Sequence, residues 1–340
     1  MSAPGPAVSV IVPCYNLGAY VEEAVDSVLA QTWQDFEIIV VDDGSTDPHT
    51  NAVLAALERP RTRVLTTENR GLPAARNHAI RHARGRYVCA LDADDKLHPR
   101  FLEKTLAVLE RDPSLAFVST WIECFGTEQW IWRQERCDFP TLLAECVVLT
   151  ASPVRRDALE AVGGYDAERY LYGSEDWDLW ISLVERGFRG TIIPEALFYY
   201  RQRAGSMRRV GERPAIRLRV WRSLLEKHRQ TYQRYLPDVL LRMEDDCGGL
   251  LLENSRIERE LHTRLPSLLA ERVAERDRLH AELRARASRT DVGPELAAAR
   301  AEVAALRASW SWKVTAPLRL GYEGWLAVRS RLAAGRRGPA

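Results

Sequence analysis

An α/β protein, with a mainly parallel sheet covered by helices and a helical extension toward the C-terminus, is predicted by three features of the sequence. Short Val/Ile/Leu-rich runs alternate with amphipathic stretches from Val8 to Asp92, the apolar runs end in polar clusters, and beyond residue 250 the composition turns to Ala, Glu, Arg and Leu. In order, VSVIVP reads as a strand, YVEEAVDSVLAQ as a helix, FEIIVVDD as a strand, NAVLAALE as a helix, RVLTT as a strand, LPAARNHAIRHA as a helix and RYVCALD as a strand. Strands that helices bury on both faces have near-continuous apolar runs, and strict β-then-α alternation implies parallel pairing. In open sheets of this kind ligands collect at the carboxyl ends of the strands. Those ends carry Pro13, Cys14, Tyr15 and Asn16; then Asp42, Asp43 and Gly44; then Asp92, Asp94 and Asp95.

The organisation expected is an α/β domain over residues 1–210 and a helical extension over 211–250, packing on or near it. Charged helices follow over 251–308, interrupted at Pro266 and at Gly293-Pro294, and a basic amphipathic tail over 309–340. The helices after 250 leave open pairing with themselves, with a partner or with nothing. In the tail, SWSWKVTAPLRL and the arginines after it suit an anionic membrane surface as well as a solvated basic helix.

Forty-eight basic and 47 acidic side chains leave a formal net charge of +1, which removes whole-molecule charge as a ground for nucleic-acid binding. The six cysteines form no C-x-x-C pair, so neither a zinc knuckle nor a disulfide framework is indicated and a reduced, cytoplasmic setting is expected. No signal-peptide pattern and no run of about 18 apolar residues occurs.

The chemistry gathers in four segments. In ALDADD, three carboxylates occupy four positions. A lone Asp at a strand end needs no more than a turn or a cap, but three repel unless a cation or donors neutralise them. Mg²⁺ or Mn²⁺ is the natural partner, held by one or two carboxylates with substrate phosphates completing its shell. An extended D-x-D points both side chains one way, so Asp92 and Asp94 are expected to face one ligand. Asp94 would hold the metal, Asp92 would support it and reach sugar or ribose hydroxyls, and Asp95 would turn elsewhere. In VVDDGSTD, Asp42 suits a base N–H or a ribose hydroxyl, while Ser45 and Asp47 suit a Gly44 turn and a helix cap. Tyr15 fits against a flat base or at the edge of the core. In NRGLPAARNHAIRHA, Arg76 near a helix N-terminus suits a diphosphate. In GSEDWDLWISLVERG, Ser174 with Glu175 and Asp176 is what helix capping alone produces. The aromatic helix that follows also suits a buried element opening on the site, where a carboxylate could deprotonate an acceptor hydroxyl. The stretch WIECFGTEQWIWRQ fits the acceptor side or a core hairpin.

As a set, VSVIVPCYNLGAYVEEAVDSVLAQTWQDFEIIVVDDGSTD, NRGLPAARNHAIRHARGRYVCALDADD, GGYDAE and GSEDWDLW resemble glycosyltransferase family 2 over roughly residues 6 to 210. The resemblance implies a GT-A fold and an inverting, metal-dependent transfer from a nucleotide diphosphate-sugar, UDP-sugars favoured. It implies that Pro13, Tyr15 and Asp42 line base and ribose, that Arg76 approaches the diphosphate, and that Asp92 and Asp94 are the D-x-D. Asp176 would be the catalytic base, with Glu175 in reserve. Many relatives carry a histidine in an H-x-x-S stretch where FYYRQRAGSM has Arg203 ahead of Ser206; arginine suits a diphosphate but not a neutral metal ligand. Q-x-x-R-W is absent, which favours one sugar per visit. The tail is similar to a motif of some bacterial transferases of surface-polysaccharide assembly, which implies a glycan or lipid-linked glycan acceptor and peripheral contact with the inner membrane leaflet. Rival readings are a metal-dependent phosphotransferase or nucleotidyltransferase, and an inactive scaffold acting through its helical tail.

Overall fold

Near-continuous apolar runs become the centre of one mixed sheet. The computed structural model describes residues 5–168, 171, 173–203, 206, 213–287 and 293–308. Its first part alternates as β1 (Val8–Cys14), α1 (Gly18–Leu29), β2 (Phe36–Asp43), α2 (Pro48–Ala55), β3 (Thr62–Thr67), α3 (Leu72–His82) and β4 (Tyr87–Ala90). There follow β5 (Lys96–Leu97), α4 (Phe101–Arg111), β6 (Leu115–Gly126), β7 (Trp130–Trp132), α5 (Phe139–Ala144), β8 (Val154–Arg155), α6 (Arg156–Val162), α7 (Glu175–Glu185) and β9 (Arg189–Gln202). The C-terminal helices are α8 (Pro214–Lys227), α9 (Arg229–Ala287) and α10 (Gly293–Ala308).

The sheet runs β3-β2-β1-β4-β8-β6-β9-β5, with β7 paired to β6. β3, β2, β1 and β4 are parallel. Beyond β4 the pairing mixes: β8 is antiparallel to both β4 and β6, and β6 is again parallel to β9. Every residue of β1, β2 and β4 is buried, because helices cover both faces. Val8, Val10 and Val12 join α1 and α4 in one core, while Ile11 joins α3, α6 and α7 in the other. Each fully buried aliphatic side chain contributes about 1.5–3 kcal/mol, so the parallel strands are fixed in register by many such contacts.

The chain divides into two compact units, one ending at Gly248 and one starting at Gly249. In the first, α8 and the start of α9 share a third apolar cluster with α5 and α7: Val220, Leu224, Tyr232 and Val239 against Leu143, Trp177 and Ile181. The expected interruption at Pro266 does not occur, since α9 runs helical from Arg229 to Ala287. A proline deletes one N–H···O=C bond, but the flanking turns keep their own, so a long helix can pass through. α10 begins at Gly293, with proline where a missing N–H costs nothing, and residues 288–292 ahead of it lie outside the described residues. The tail 309–340 lies outside the described residues, and among those described no helix is long and apolar enough to cross a membrane.

Candidate active site

Parallel pairing of β1 with β2 and β4 brings their carboxyl ends to one rim. Cys14 lies opposite Asp42, and Ile11 lies opposite Ala90, two residues before Asp92. The Cys14 thiol is pushed up to about 11 by burial, with the charges of Asp42 and Asp94 adding to it. Pro13 is buried within β1, whereas Tyr15, just past the strand, is 43% exposed. Asn16, in the left-handed region at φ 55, ties the two loops together: its Oδ1 accepts from the Thr46 and Asp47 N–H groups and its Nδ2 donates to the Thr46 hydroxyl.

The second cluster divides its work. Buried Asp42 accepts the Ser45 N–H at 2.9 Å, closing the turn at Gly44. Gly44 has φ +66, and a Cβ there would sit 2.6 Å from the Asn69 nitrogen. Asp43 accepts the N–H groups of Arg70 and Gly71, each at 3.0 Å, which fastens the loop leading into α3. Asp47 caps α2 through the His49 and Thr50 N–H groups, so its carboxylate is occupied by capping.

The D-x-D departs from the extended geometry expected for it. The Asp95 N–H donates to the Asp92 carbonyl at 3.0 Å, so the chain turns over Asp92–Asp95 and each carboxylate meets a different arginine. Asp92 pairs with Arg76 at 2.6 Å and Asp94 with Arg203 at 2.7 Å. Asp95 is 2% exposed and accepts the Arg201 N–H at 2.8 Å. Burial, followed by the charge of Asp92 on Asp94 and of Asp94 and Asp92 on Asp95, raises both carboxyls above the usual carboxylate range, and Asp95 well above it. Arg201 also donates from Nε to the Asp94 carbonyl at 2.8 Å, pairs with Glu23 and lies over the Tyr20 and Phe125 rings.

Arg76, 1% exposed, joins two halves of the site. Its terminal nitrogens hold Asp92 and Glu175, both at 2.6 Å, and its guanidinium lies 5.1 Å over the Tyr165 ring. Burial alone would ease its proton off, but the two carboxylates outweigh that and raise its pKa. Removing one partner of such a buried pair typically costs about 3–5 kcal/mol. Asn77, next along α3, grips the Tyr165 backbone through both its amide atoms, at 2.7 and 2.9 Å. Gly164, at φ +77, is needed there because a Cβ would fall 2.6 Å from the Asn77 Oδ1.

Glu175 and Asp176 open α7 and face different ways. Glu175 is buried against Arg76, whereas Asp176 is half-buried and takes the Thr150 hydroxyl at 2.5 Å and the Trp177 N–H at 2.7 Å. Burial and then the neighbouring Glu175 raise the Asp176 carboxyl to about 6. Sequence reasoning missed Arg201, Thr150, Asn77 and Tyr165 as parts of this arrangement. Only the last had a local signal, in the paired glycines of GGYDAE. The aromatic stretch at 121–134 forms the β6–β7 hairpin, closed by the Trp121 indole donating to the Gln134 carbonyl at 2.9 Å.

The residues present fit a hard divalent cation. Among those described no cluster of three or more His, Cys, Asp or Glu side chains could hold a metal alone. A site of one or two carboxylates completed by phosphates needs no such cluster, and Asp94 and Asp92, with side chains 16% and 29% exposed, offer the oxygen donors such a cation takes.

With this geometry in hand, comparison with known proteins defines the class. The family model for glycosyl transferase family 2 matches residues 9–160. The putative glycosyltransferase EpsE of Bacillus subtilis (strain 168) is 32% identical over 215 residues, 60% of this chain and 76% of that protein. The putative teichuronic acid biosynthesis glycosyltransferase TuaG of the same organism is 35% identical over 205 residues, 58% of this chain and 79% of that protein. Among solved structures, the mannosyltransferase PcManGT from Pyrobaculum calidifontis, in complex with GDP-Man and Mn²⁺, is similar in fold. Its TM-score is 0.50 at 23% identity, covering 92% of this chain and 84% of that one. The chain belongs to glycosyltransferase family 2, with the GT-A type of α/β fold.

Proposed function

We propose that the protein transfers a sugar, with inversion, from a nucleotide diphosphate-sugar to a hydroxyl of a glycan or lipid-linked glycan in the assembly of a surface polysaccharide. UDP-sugars are the favoured donors. The observation that carries this reading is Arg76, which binds Asp92 of the D-x-D turn and Glu175 of the α7 N-terminus at once, and so ties the segment read as the donor side to the one read as the acceptor side. Tyr15 and Asp42 suit the base and ribose, with Pro13 shaping the strand end beneath them. The diphosphate falls to Arg203, since both terminal nitrogens of Arg76 are committed to carboxylates; Arg76 acts by positioning. Mg²⁺ or Mn²⁺ on Asp94, supported by Asp92, would supply stabilisation of the charge that gathers on the leaving diphosphate. The acceptor oxygen bonds to the anomeric carbon as the bond to the diphosphate breaks, and the hydroxyl proton passes to Asp176. Glu175, buried in its ion pair, is less able to exchange a proton with an acceptor.

The polysaccharide setting is supported by the name of TuaG, and contact with the inner leaflet by the outer face of α8, where Arg219 and Arg222 stand exposed with Leu218, Leu225 and Glu226, and by exposed Arg229 at the start of α9. Such a face suits the cytoplasmic side of an anionic membrane. To test the transfer, the protein is incubated with a panel of nucleotide sugars and Mn²⁺, and nucleotide release is followed with and without polysaccharide-type acceptors. Asp94→Ala should lower turnover by at least a hundredfold. Release that ignores both the acceptor and Asp94 would point to a phosphotransferase and sink the reading.

A further inference from the structure

The two arginines at the end of β9 are held in different ways. Arg201 is anchored by its own N–H to Asp95, by Nε to the Asp94 carbonyl, by an ion pair to Glu23 and by two aromatic rings. Two of these contacts hold the backbone shape of the turn and the other three fix the side chain outside it, and no ligand that binds the Asp94 carboxylate need disturb them. Arg203 has far less. Its Nε donates to the Asp94 Oδ2 at 2.7 Å and its guanidinium lies 5.7 Å from the Tyr20 ring centroid. Its terminal nitrogens have no acceptor among the described residues, and the pair is partly open, with side-chain exposures of 28% for Arg203 and 16% for Asp94. Arg76, at 1%, has no such freedom.

We propose that Arg203 is an exchangeable counter-ion: it neutralises Asp94 in the donor-free site, is displaced when a divalent cation binds there, and passes to the diphosphate that arrives with the cation. This rests on the reading of Asp94 as the metal carboxylate. A guanidinium cannot shed its charge, so a dication brought to the same carboxylate must repel it. A diphosphate gives the displaced arginine a new anionic partner that matches its planar fork better than one carboxylate oxygen does. The cation and the diphosphate therefore bind together or hardly at all. Arg203 excludes the bare metal and rewards the complete donor, coupling the two ligands by mutual, reciprocal linkage.

The test measures binding, not turnover. Mn²⁺ affinity is determined by calorimetry and by water-proton relaxation for the full chain without nucleotide. It is repeated with UDP and, to remove any dependence on the base, with inorganic pyrophosphate. Arg203→Gln should bind bare Mn²⁺ at least tenfold more tightly than wild type, and bind UDP or pyrophosphate in saturating Mn²⁺ at least tenfold more weakly. Arg203→Lys, which keeps the charge and loses the fork, should leave bare Mn²⁺ affinity near wild type while still weakening the diphosphate. It also guards against a Gln variant that fails to fold. If Arg203→Gln leaves bare Mn²⁺ affinity unchanged or lowers it, or leaves the diphosphate affinity unchanged, the exchange is overturned. Asp94→Ala separates this from failure of the underlying reading. Equal Mn²⁺ binding by Asp94→Ala and wild type, with UDP or pyrophosphate present, would remove Asp94 as the metal carboxylate and the exchange with it.

Discussion

Glu175 and Asp176 are adjacent carboxylates at one helix end in different surroundings. Asp176 takes hydrogen bonds from neutral donors, the Thr150 hydroxyl, the Trp177 N–H and the Cys146 thiol, and lies half-buried, with its carboxyl raised to about 6; Glu175 is 4% exposed and paired with Arg76. A general base must be ionised to accept a proton, and its usefulness is greatest when its pKa lies near the working pH. The acid limb of kcat/KM should therefore fall about tenfold per pH unit below about 6 and level off above it. Asp176→Asn should lower kcat by roughly 10²–10⁴ with donor affinity and Tm nearly unchanged. Glu175→Gln should instead lower Tm by about 5–10 °C, because it opens the buried pair. The profile is read from initial rates between pH 4.5 and 8.5, and the melts by calorimetry. Reversed roles for the two variants would transfer the base to Glu175. The sequence made both acids visible and left capping as a sufficient account of them; what decides between them is Arg76, 99 positions away from Glu175 in the chain.

At the level of elements, α7 is loaded at both ends. Its N-terminus carries the candidate base, and further along Asp178 and Glu185 hold His228 at the α8–α9 junction, at 3.0 and 2.9 Å, with Lys227 also on Asp178 at 2.6 Å. Each ring nitrogen of His228 faces a carboxylate, so the protonated ring satisfies both and the neutral ring only one. Burial alone would lower the His228 pKa, but the bonds to Asp178 and Glu185 outweigh it and raise the value above 6.5. Its stabilisation is therefore complete below the unfolded pKa of about 6.5 and is lost as pH rises through the higher native value. Denaturant unfolding of wild type and His228→Gln should show a gap of about 2 kcal/mol at pH 6 that shrinks by pH 9; a gap that is constant or grows with pH would refute the charged latch. None of this was legible in the sequence, whereas β1, β2, β4 and α1 to α3 were, because each announces itself through a local apolar pattern. The two-residue strands β5 and β8 carry no pattern at all. The D-x-D turn misled for a related reason: its partners Arg76 and Arg203 lie 16 and 109 positions away, and they, rather than strand geometry, set where each carboxylate points.

For the molecule as a whole, a formal net charge of +1 conceals uneven placement. Within the first unit α8 turns Val220 and Leu224 inward, onto the cluster it shares with α7, and leaves Leu218 at 66% and Leu225 at 44% exposure with exposed Arg219, Arg222 and Glu226, while Arg229 stands exposed at the start of α9. A solvated basic helix has no need of bare leucines on its outer face. An interfacial helix does, because apolar burial and attraction to anionic headgroups then add. Each arginine near such a surface contributes about 1 kcal/mol, so reversing Arg219, Arg222 and Arg229 to Glu should weaken partition onto phosphatidylglycerol vesicles by at least about 100-fold. Neutral phosphatidylcholine vesicles should bind poorly whichever form is used, and raised salt should release the wild type because surface charges are screened within a few ångströms at 1 M. Co-flotation is the measurement, with circular dichroism confirming that the variant stays folded. If the triple variant floats as well as wild type, α8 is not the contact, and any membrane affinity must arise elsewhere in the chain.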